Sequence, residues 1–264
     1  MTRTVLITGA SSGIGEALAR VFASEGWDLV IAARREDRLR ALAEQLTRQH
    51  GRRVDVVVSD LAADGAVAKL CDEVTVRGII VDGLVNNAGY GVPGAYVNST
   101  WEKQHAFLQV MVVAVAELTH RLLPGMLERG YGRILNVASL AGLVPAPAGH
   151  TLYAASKSFM IKFSESLAHE VGHRGVHVTA LCPGFTLSEF HDVLGTREMM
   201  NKMPSFMWMD SPTVARQGFD AVMRGTPVMV TGRVNSSIAT LVRILPQRIV
   251  AAVGRHFSRS YRKA

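Results

Sequence analysis

Short runs of apolar, often β-branched residues alternate along the chain with longer segments in which apolar residues recur at helical spacing. The strand-like runs are Thr4–Thr8, Asp28–Ala33, Arg53–Ser59, Gly83–Asn86, Arg133–Val137, His177–Cys182 and Val228–Val230. The helix-like segments lie near residues 13–25, 36–49, 63–76, 100–129, 153–173 and 211–224. Near-continuous apolar strands separated by helices are typical of a parallel sheet that helices cover on both faces. Because crossovers between parallel strands are right-handed, the pattern predicts one doubly wound α/β domain with a seven-stranded parallel sheet.

Two stretches depart from this alternation. Residues 185–210 interrupt it between the sixth strand and the last helix, and residues 233–264 extend past the last strand. Within the extension, residues 237–257 carry apolar side chains at helical spacing, and Pro246 is expected to divide them into two short helices. We therefore expect a domain over residues 1–232 and a basic amphipathic helical extension over residues 233–264.

Composition narrows the class of protein. The 264 residues are 48% hydrophobic and 19% charged, which is typical of a globular chain. No apolar run approaches the roughly 18 residues that cross a bilayer. A strand-like run begins at Val5, which leaves no room for a signal peptide, and Cys71 and Cys182 lack metal-ligand spacing. The sequence therefore predicts a cytoplasmic protein without a metal site.

The net charge of +7 is unevenly distributed. Eight Arg or Lys residues and no acidic residue follow Asp220, so the basicity belongs to the C-terminal part of the chain. This distribution argues against a nucleic-acid partner. A basic amphipathic segment can lie on an anionic membrane, so residues 237–263 are a candidate for peripheral membrane contact. Packing of the same segment on its own domain or on another subunit is the alternative.

A glycine-rich turn follows the first strand. Residues 8–15 read TGASSGIG and open the first helix. Glycines at these positions let the backbone turn tightly and approach a pyrophosphate, whose charge meets the N-terminus of the helix. A tight turn without a ligand is the alternative, but the strand before it and the helix after it predict a dinucleotide site.

The end of the second strand bears on which dinucleotide binds. NAD-binding sheets carry an acidic residue here, which accepts hydrogen bonds from the adenosine ribose. This chain has Ala33 followed by Arg34 and Arg35. A guanidinium can pair with a 2′-phosphate, so the two arginines favour NADP(H) over NAD(H). The alternative is that they only begin an exposed helix.

Tyr153 and Lys157 are four residues apart at a helix start and so share one face. A free tyrosine has a pKa of about 10. A fixed positive charge nearby favours the phenolate and lowers this pKa, so the phenol can exchange protons near neutral pH. Alone, the same spacing is also common on exposed helices without a catalytic role.

Six motifs in a fixed order give the chain a family resemblance. They are the TGASSGIG turn, Asp60 after the third strand, Asn86-Asn87-Ala88-Gly89 after the fourth, Ser139 after the fifth, the Tyr153/Lys157 pair, and Pro183-Gly184 after the sixth. With them the chain closely resembles the short-chain dehydrogenase/reductase superfamily over about residues 4–232, and it looks like bacterial members of unassigned substrate. The resemblance implies a Rossmann-type fold, hydride transfer between a nicotinamide cofactor and a ketone, aldehyde or alcohol, and a homodimer or homotetramer.

The resemblance also implies a catalytic set of Ser139, Tyr153 and Lys157. In reduction, Tyr153 would donate a proton to the carbonyl oxygen. Lys157 would bind the nicotinamide ribose and lower the pKa of Tyr153. Ser139 would hydrogen-bond the reacting oxygen.

Cofactor contacts follow from the same resemblance. The glycine turn would hold the pyrophosphate, Asp60 and Leu61 would contact adenine, and Asn86 would lie on the ribose side. The residues expected at the cofactor are Gly9, Ser11, Ser12, Gly13, Ile14, Gly15, Arg34, Arg35, Asp60, Leu61, Asn86, Asn87, Ala88, Gly89, Tyr153, Lys157, Pro183, Gly184, Thr186 and Ser188.

Met111 departs from the family pattern. The family usually has an asparagine in the middle of the fourth helix, thought to hold a water that connects the lysine to solvent. Methionine is at best a weak acceptor, so the proton path should differ or proton exchange should be slower. This residue supports the alternative that the protein is a catalytically weakened nucleotide-binding or sensor protein. The complete Ser139, Tyr153 and Lys157 set favours an active enzyme.

The substrate side is the least specified part of the sequence. The family forms a lid after Pro183-Gly184, so we expect a helical lid over about residues 185–210. Residues 199–209 hold five of the chain's eleven methionines, whose flexible thioethers favour an apolar substrate such as a lipid-like, steroid-like or 3-oxoacyl compound. The alternative is that these residues cover the core or a subunit contact. The candidate substrate residues are Tyr90, His150, Phe185, Met203 and Met207.

Overall fold

The computed structural model describes residues 2–146, 148–149, 151–189, 204–246 and 248. Its strands are β1 (Thr4–Thr8), β2 (Asp28–Ala33), β3 (Val54–Val58), β4 (Gly83–Asn86), β5 (Gly132–Val137), β6 (Val176–Cys182), β7 (Phe185–Leu187), β8 (Trp208–Asp210) and β9 (Val228–Val230). All except β7 and β8 form one parallel sheet in the order β3-β2-β1-β4-β5-β6-β9. The predicted doubly wound, seven-stranded sheet is confirmed.

Helices connect these strands and cover both faces of the sheet. They are α1 (Gly13–Ser24), α2 (Glu36–His50), α3 (Ala66–Val76), α4 (Trp101–Leu108), α5 (Ala114–Glu128), α6 (Thr151–Val171), α7 (Ser211–Arg224) and α8 (Arg233–Ile244). One face packs against α1, α2 and α7 through side chains such as Phe22, Leu46 and Phe219. The other packs against α3, α5 and α6, where Leu70 and Leu118 are almost fully buried.

The predicted helix near residues 100–129 is divided in the structure. A π-helical turn over Gln109–Val113 separates α4 from α5. Val110 and Met111 of this turn are buried against the carboxyl ends of β5 and β6. The stretch Trp101–Glu128 is long enough to cross a membrane, and an 18-residue window within it has a mean hydropathy of 1.5. In this fold its inward side lies in the core.

The segment expected to be a helical lid differs from that expectation at both of its ends. β7 and β8 form a separate two-stranded parallel sheet, in which Phe185 pairs with Trp208. The rings of these two residues lie 5.5 Å apart, so aromatic packing joins the two ends of the segment. Residues 190–203, the interior of the expected lid, lie outside the described residues.

The C-terminal extension begins with α8, which starts at Arg233, directly at the predicted domain boundary. Asn235 and Ala239 are buried, whereas Leu241 and Ile244 are 56% and 76% exposed. α8 therefore packs one side on the domain and leaves apolar side chains exposed on another. The helix ends before Pro246, as the sequence predicts. Residue 247 and residues 249–264 lie outside the described part of the chain.

Candidate active site

The turn between β1 and α1 has no room for side chains at its glycines. Gly9 and Gly13 have φ angles of +67° and +58°, a left-handed conformation that favours glycine. A Cβ atom on Gly9 would lie 2.8 Å from Ala88 Cα, and one on Gly15 would lie 2.3 Å from Asn87 Nδ2. The glycines therefore let the turn pack closely on the segment after β4 and lead into the N-terminus of α1, where a pyrophosphate can bind.

Thr8 and Asn87 tie the ends of β1 and β4 together beneath this turn. Asn87 Nδ2 donates to the carbonyl oxygens of Thr8 and Gly9 at 3.0 and 3.1 Å. Thr8 Oγ1 accepts from the backbone N–H groups of Asn87 and Ala88, both at 3.1 Å. The strand order reverses between these two strands, so the predicted Asn87 and Ala88 contacts lie where a doubly wound sheet binds ligands. The described hydrogen bonds of the Thr8 hydroxyl are all with backbone groups, a role that the sequence pattern does not reveal.

The side chain of Asn86 is not beside the cofactor ribose, where it was expected. It is 3% exposed, and its Nδ2 donates to Asn136 Oδ1 at 2.8 Å. Asn136 Nδ2 donates in turn to Ser164 Oγ at 2.8 Å. Strand side chains alternate between faces, so Asn86 points into the core while Asn87, one residue later, faces the turn.

Arg35, one of the two arginines predicted to bind a 2′-phosphate, lies against the glycine turn. Its Nη2 donates to Ser12 Oγ at 2.7 Å and to Ser11 Oγ at 3.0 Å. Its Nη1 forms an ion pair with Glu189 Oε2 at 2.9 Å. Arg34 is exposed near Tyr90; burial raises the pKa of the Tyr90 phenol, and the charge of Arg34 opposes that rise.

The predicted adenine-side residues lie at the same edge of the sheet. Asp60 is exposed just past β3, and its Oδ1 accepts from the backbone N–H of Ala62 at 3.1 Å. Leu61 is partly buried and packs against two hydrophobic clusters, one that includes Leu70 of α3 and one that includes Tyr153. Ile14 of the glycine turn packs into the core on the α1 face.

The three predicted catalytic residues meet beyond the carboxyl end of β5. The hydroxyl groups of Tyr153 and Ser139 are hydrogen-bonded to each other. Ser139 Oγ also accepts from the backbone N–H of Ala141 at 3.1 Å, which holds it at the end of its strand. Lys157 Nζ lies 5.6 Å from the centre of the Tyr153 ring. A phenol that shares a hydrogen bond with a hydroxyl, near an amine, can pass a proton to an oxygen bound at this edge.

Burial dominates the protonation of this set in the cofactor-free protein. It raises the pKa of Tyr153, and the hydrogen bond with Ser139 opposes that rise. It also lowers the pKa of Lys157 to about 7, an effect that nearby Cys182 opposes. Burial raises the pKa of the Cys182 thiol to about 12, so the thiol stays neutral. The hydrogen bond with Ser139 is therefore the interaction that opposes the rise in the Tyr153 pKa.

Met111 fills the position beside this set where the family usually has asparagine. Its side chain is fully buried, and a Cβ atom on Gly89 would lie 2.8 Å from Met111 Sδ. Lys157 Nζ instead donates to the carbonyl oxygen of Val137 at 2.7 Å and lies 3.7 Å from Met160 Sδ. The amine thus has a backbone partner within β5, and the thioether of Met160 lies beside it.

The turn after β6 packs against α8, the first helix of the C-terminal extension. The carbonyl oxygen of Pro183 accepts from Leu140 N–H at 2.8 Å, and Thr186 Oγ1 donates to Gly184 O at 3.2 Å. A Cβ atom on Gly184 would lie 2.4 Å from Asn235 Nδ2. Asn235 was not predicted as a site residue, because only the tertiary packing of α8 brings it beneath this turn.

A small cavity beside Tyr153 is lined by both apolar and uncharged polar side chains. It has a volume of about 10 Å³, and its lining residues are Val92, Gly94, Tyr96, Gln104, Phe107, Thr151, Leu152 and Tyr153. The predicted residue Tyr90 packs edge-on against Phe107 of this lining, with ring centres 5.6 Å apart. Phe185 packs on Trp208, and Met207 is partly buried in the turn before β8. His150 and Met203 lie outside the described residues.

Within the described part of the chain, no group of three His, Cys, Asp or Glu side chains is arranged to hold a metal ion. Both cysteines are buried free thiols.

The fold and site together define an oxidoreductase that acts on C=O or CH–OH groups. They combine a Rossmann-like sheet, a glycine turn at the point where its strand order reverses, and a Ser–Tyr–Lys set at the same edge. The short chain dehydrogenase family model matches residues 3–198. The chain belongs to this family.

Individual relatives support the same assignment. Sulfoacetaldehyde reductase 2 from Chromohalobacter salexigens is 38% identical over 192 residues, which cover 72% of this chain and 75% of the relative. The solved structure of a short-chain dehydrogenase from Sphingobium yanoikuyae in complex with NADPH is 29% identical with a TM-score of 0.80, covering 92% of this chain and 96% of that one. A member from Burkholderia phymatum in complex with NAD is 27% identical with a TM-score of 0.79, covering 91% and 92%.

Proposed function

We propose that the protein is an NADP(H)-dependent oxidoreductase that interconverts a ketone and an alcohol on an apolar substrate. The observation that carries this proposal is the meeting of Ser139, Tyr153 and Lys157 at the edge that also holds the glycine turn and Arg35. When bound, the nicotinamide cofactor supplies or accepts the hydride.

In this proposal each residue of the set has a separate task. Tyr153 donates a proton to the carbonyl oxygen during reduction and accepts one during oxidation. Ser139, already hydrogen-bonded to the phenol, donates a hydrogen bond to the same substrate oxygen. Lys157 binds the nicotinamide ribose, and its ammonium form stabilises the phenolate of Tyr153.

The preference for NADP(H) rests on the surroundings of the ribose end of the cofactor. Arg35 contacts both serines of the turn, so its guanidinium stands beside the expected phosphate positions. Guanidinium groups bind phosphate through paired, charge-assisted hydrogen bonds. The NADPH-bound relative agrees with this preference, whereas the NAD-bound relative shows that the family scaffold also accepts the other cofactor.

The lining of the cavity beside Tyr153 supports an uncharged substrate class. Val92, Phe107 and Leu152 are its apolar members, and Tyr96, Gln104 and Thr151 carry uncharged polar groups. The first relative is named for sulfoacetaldehyde, a small charged substrate. The absence of a basic side chain from the cavity lining in the described residues favours an uncharged substrate here.

A panel of carbonyl compounds tests the proposed reaction. We expect NADPH oxidation with bulky apolar ketones, weaker oxidation of NADH, and no turnover of small anionic aldehydes such as sulfoacetaldehyde. Tyr153→Phe is the control, because it removes the proton donor and keeps the ring. Tight NADPH binding without turnover of any carbonyl would instead support the second candidate, a nucleotide sensor, which Met111 favours.

Assembly and location are parts of the same proposal. We propose a cytoplasmic homodimer or homotetramer, since Val97, Trp101 and Val113 around α4 are 86%, 60% and 43% exposed and apolar. Light scattering after gel filtration tests the assembly; a monomer at micromolar concentration would contradict it.

Peripheral membrane contact by residues 237–263 is a separate proposal, with packing on another subunit as its alternative. Flotation with anionic vesicles should compare the full chain with a variant that ends at Pro246. That variant keeps α8, whose Asn235 supports the site. Lower recovery of the shorter variant would support the membrane proposal, and failure of the full chain to float with the vesicles would remove it.

A further inference from the structure

Glu189 forms two ion pairs at the edge of the sheet where we propose that the cofactor binds. It follows β7, and its carboxylate pairs with two arginines of the β2–α2 region. Its Oε2 lies 2.9 Å from Arg35 Nη1, and its Oε1 lies 2.6 Å from Arg38 Nη1. All three side chains are between 39% and 45% exposed, so water and dissolved anions can reach them.

This carboxylate lies against the phosphate-binding turn. Arg35 donates to Ser11 and Ser12 of that turn with the same guanidinium that it presents to Glu189. Ser188, the preceding residue, lies directly over Gly13, since a Cβ atom on that glycine would be 3.0 Å from Ser188 Cβ. The residues after β7 therefore cross the turn and hold an anionic group where Arg35 would receive a phosphate.

We propose that Glu189 is an internal competitor for the 2′-phosphate of NADP(H), and that Arg38 is the second cation of that subsite. The inference rests on the proposed NADP(H) dependence. Arg34 and Arg35 were expected from sequence to serve this phosphate; Arg38 lies one helical turn after Arg35 and faces the same carboxylate.

The chemistry of the groups supports this competition. Carboxylates and phosphates both accept paired hydrogen bonds from guanidinium, so they compete for the same donors. The hydrogen bond with Arg38 lowers the pKa of Glu189, which keeps the carboxylate ionised at neutral pH. A bound 2′-phosphate would stand beside this like charge unless Glu189 leaves. NAD(H) lacks the phosphate and leaves the ion pairs intact, so Glu189 weakens NADP(H) binding selectively.

Titrations of four ligands test the proposal: NADPH, NADH, adenosine 2′,5′-bisphosphate and 5′-AMP. We expect Glu189→Gln to bind NADPH and the bisphosphate about 3- to 10-fold more tightly than the wild type, since exposed ion pairs are worth up to about 1 kcal/mol each. NADH and 5′-AMP should bind with unchanged affinity. Raising the salt concentration should shrink the difference.

Two further variants sharpen the test. Arg38→Met should weaken binding of NADPH and the bisphosphate, and it should reduce the gain that Glu189→Gln gives. Glu25→Gln is the matched control, because Glu25 forms an ion pair of similar exposure with Arg216, at 2.6 Å. It makes the same change in net charge and should leave all four affinities unchanged.

Unchanged or weaker NADPH binding by Glu189→Gln would overturn the proposal, and so would an equal gain for NADH. The proposed NADP(H) dependence fails separately, if the wild type and Glu189→Gln both bind NADH and neither binds the bisphosphate. If only Glu189→Gln binds the bisphosphate, the competition is supported in its strongest form.

Discussion

The folded chain buries the amine of Lys157, which disfavours the charged form of this side chain. It is 5% exposed, and Val137 O is its backbone hydrogen-bond partner. Burial disfavours the ammonium form and lowers its pKa to about 7. Ribose hydroxyls of a bound cofactor would accept hydrogen bonds from the ammonium and favour that form. The residue is therefore expected to serve binding and catalysis at the expense of stability.

The first prediction concerns Lys157→Met. Between pH 7 and about 10.4, the pKa of an unperturbed lysine, the unfolded wild type binds more protons than the folded protein. The free energy of unfolding of the wild type should therefore rise with pH across this window. Lys157→Met lacks this dependence, so it should be more stable than the wild type at pH 7, by on the order of 2 kcal/mol, and lose that advantage towards pH 10.

Urea unfolding of the cofactor-free proteins at pH 7 and pH 9.5 measures this difference. Lys162→Met is the control, because Lys162 is exposed on the same helix and pairs with Glu165. A stability difference for Lys157→Met that does not change with pH would contradict the account. The variant should also lose carbonyl reduction.

The second prediction concerns Met111. The thioether cannot relay protons, so Met111→Asn should raise the rate on a good substrate or leave it unchanged. Turnover in H₂O and D₂O checks the reason, because an improved proton path should reduce the solvent isotope effect. A large loss of rate in a folded Met111→Asn protein would show that methionine is required at this position.

At the scale of elements, the helix that begins the C-terminal extension supports the active site. Asn235 Nδ2 donates to Thr231 O at 2.8 Å, and its side chain lies against Gly184. Its Oδ1 and the hydroxyl of Thr231 are buried and have no hydrogen-bond partner among the residues that the structure describes. Asn235 therefore fills the space next to the Pro183-Gly184 turn, and we interpret it as a positioning residue.

The third prediction follows from this packing. Asn235→Ala should lower the free energy of unfolding by about 1–2 kcal/mol, because a buried hydrogen bond and its packing are lost. It should also raise the KM for the cofactor more than it lowers kcat, because the Pro183-Gly184 turn loses its support. Ser237→Ala, at an exposed position of the same helix, is the control and should change neither. An Asn235→Ala protein of unchanged KM would contradict the positioning role.

The elements differ in how well the sequence predicts them. The strands of the sheet were predicted to within a residue or two, because buried parallel strands are continuous apolar runs. The π-helical turn at Gln109–Val113 was missed, because the apolar pattern continues through it without a glycine or proline. β7 and β8 were missed because each is only three residues long, and their pairing joins positions far apart in sequence.

The residues of the candidate active site also differ in how well the sequence predicts them. The glycine turn and the Ser139, Tyr153 and Lys157 set were identified from short motifs with a defined spacing. Asn235, Glu189 and Arg38 gave no such signal, because their roles depend on contacts between segments distant in the chain. Asn86 was expected on the wrong side because successive side chains of a strand point to opposite faces. The motif alone does not show which of the two asparagines faces the turn.

At the scale of the whole molecule, the parallel sheet brings every part of the reaction to one edge. The glycine turn follows β1, Asn87 follows β4, Ser139 follows β5 and Pro183 follows β6. Because these strands are parallel and adjacent, residues far apart in the chain meet at their carboxyl ends. The two helical layers keep this edge fixed, and the residues after β7 cross it next to Arg35.

The central claim is that Tyr153 protonates a carbonyl oxygen while hydride passes from a nicotinamide to the carbonyl carbon. NADPH that carries deuterium at both C4 positions of the nicotinamide, incubated with the best ketone of the panel, tests this claim most directly. Mass spectrometry of the product alcohol should show one deuterium on the carbinol carbon, and Tyr153→Phe should slow its appearance by about 10²- to 10⁴-fold. An unlabelled alcohol, or a Tyr153→Phe protein that labels the product as fast as the wild type, would contradict the account.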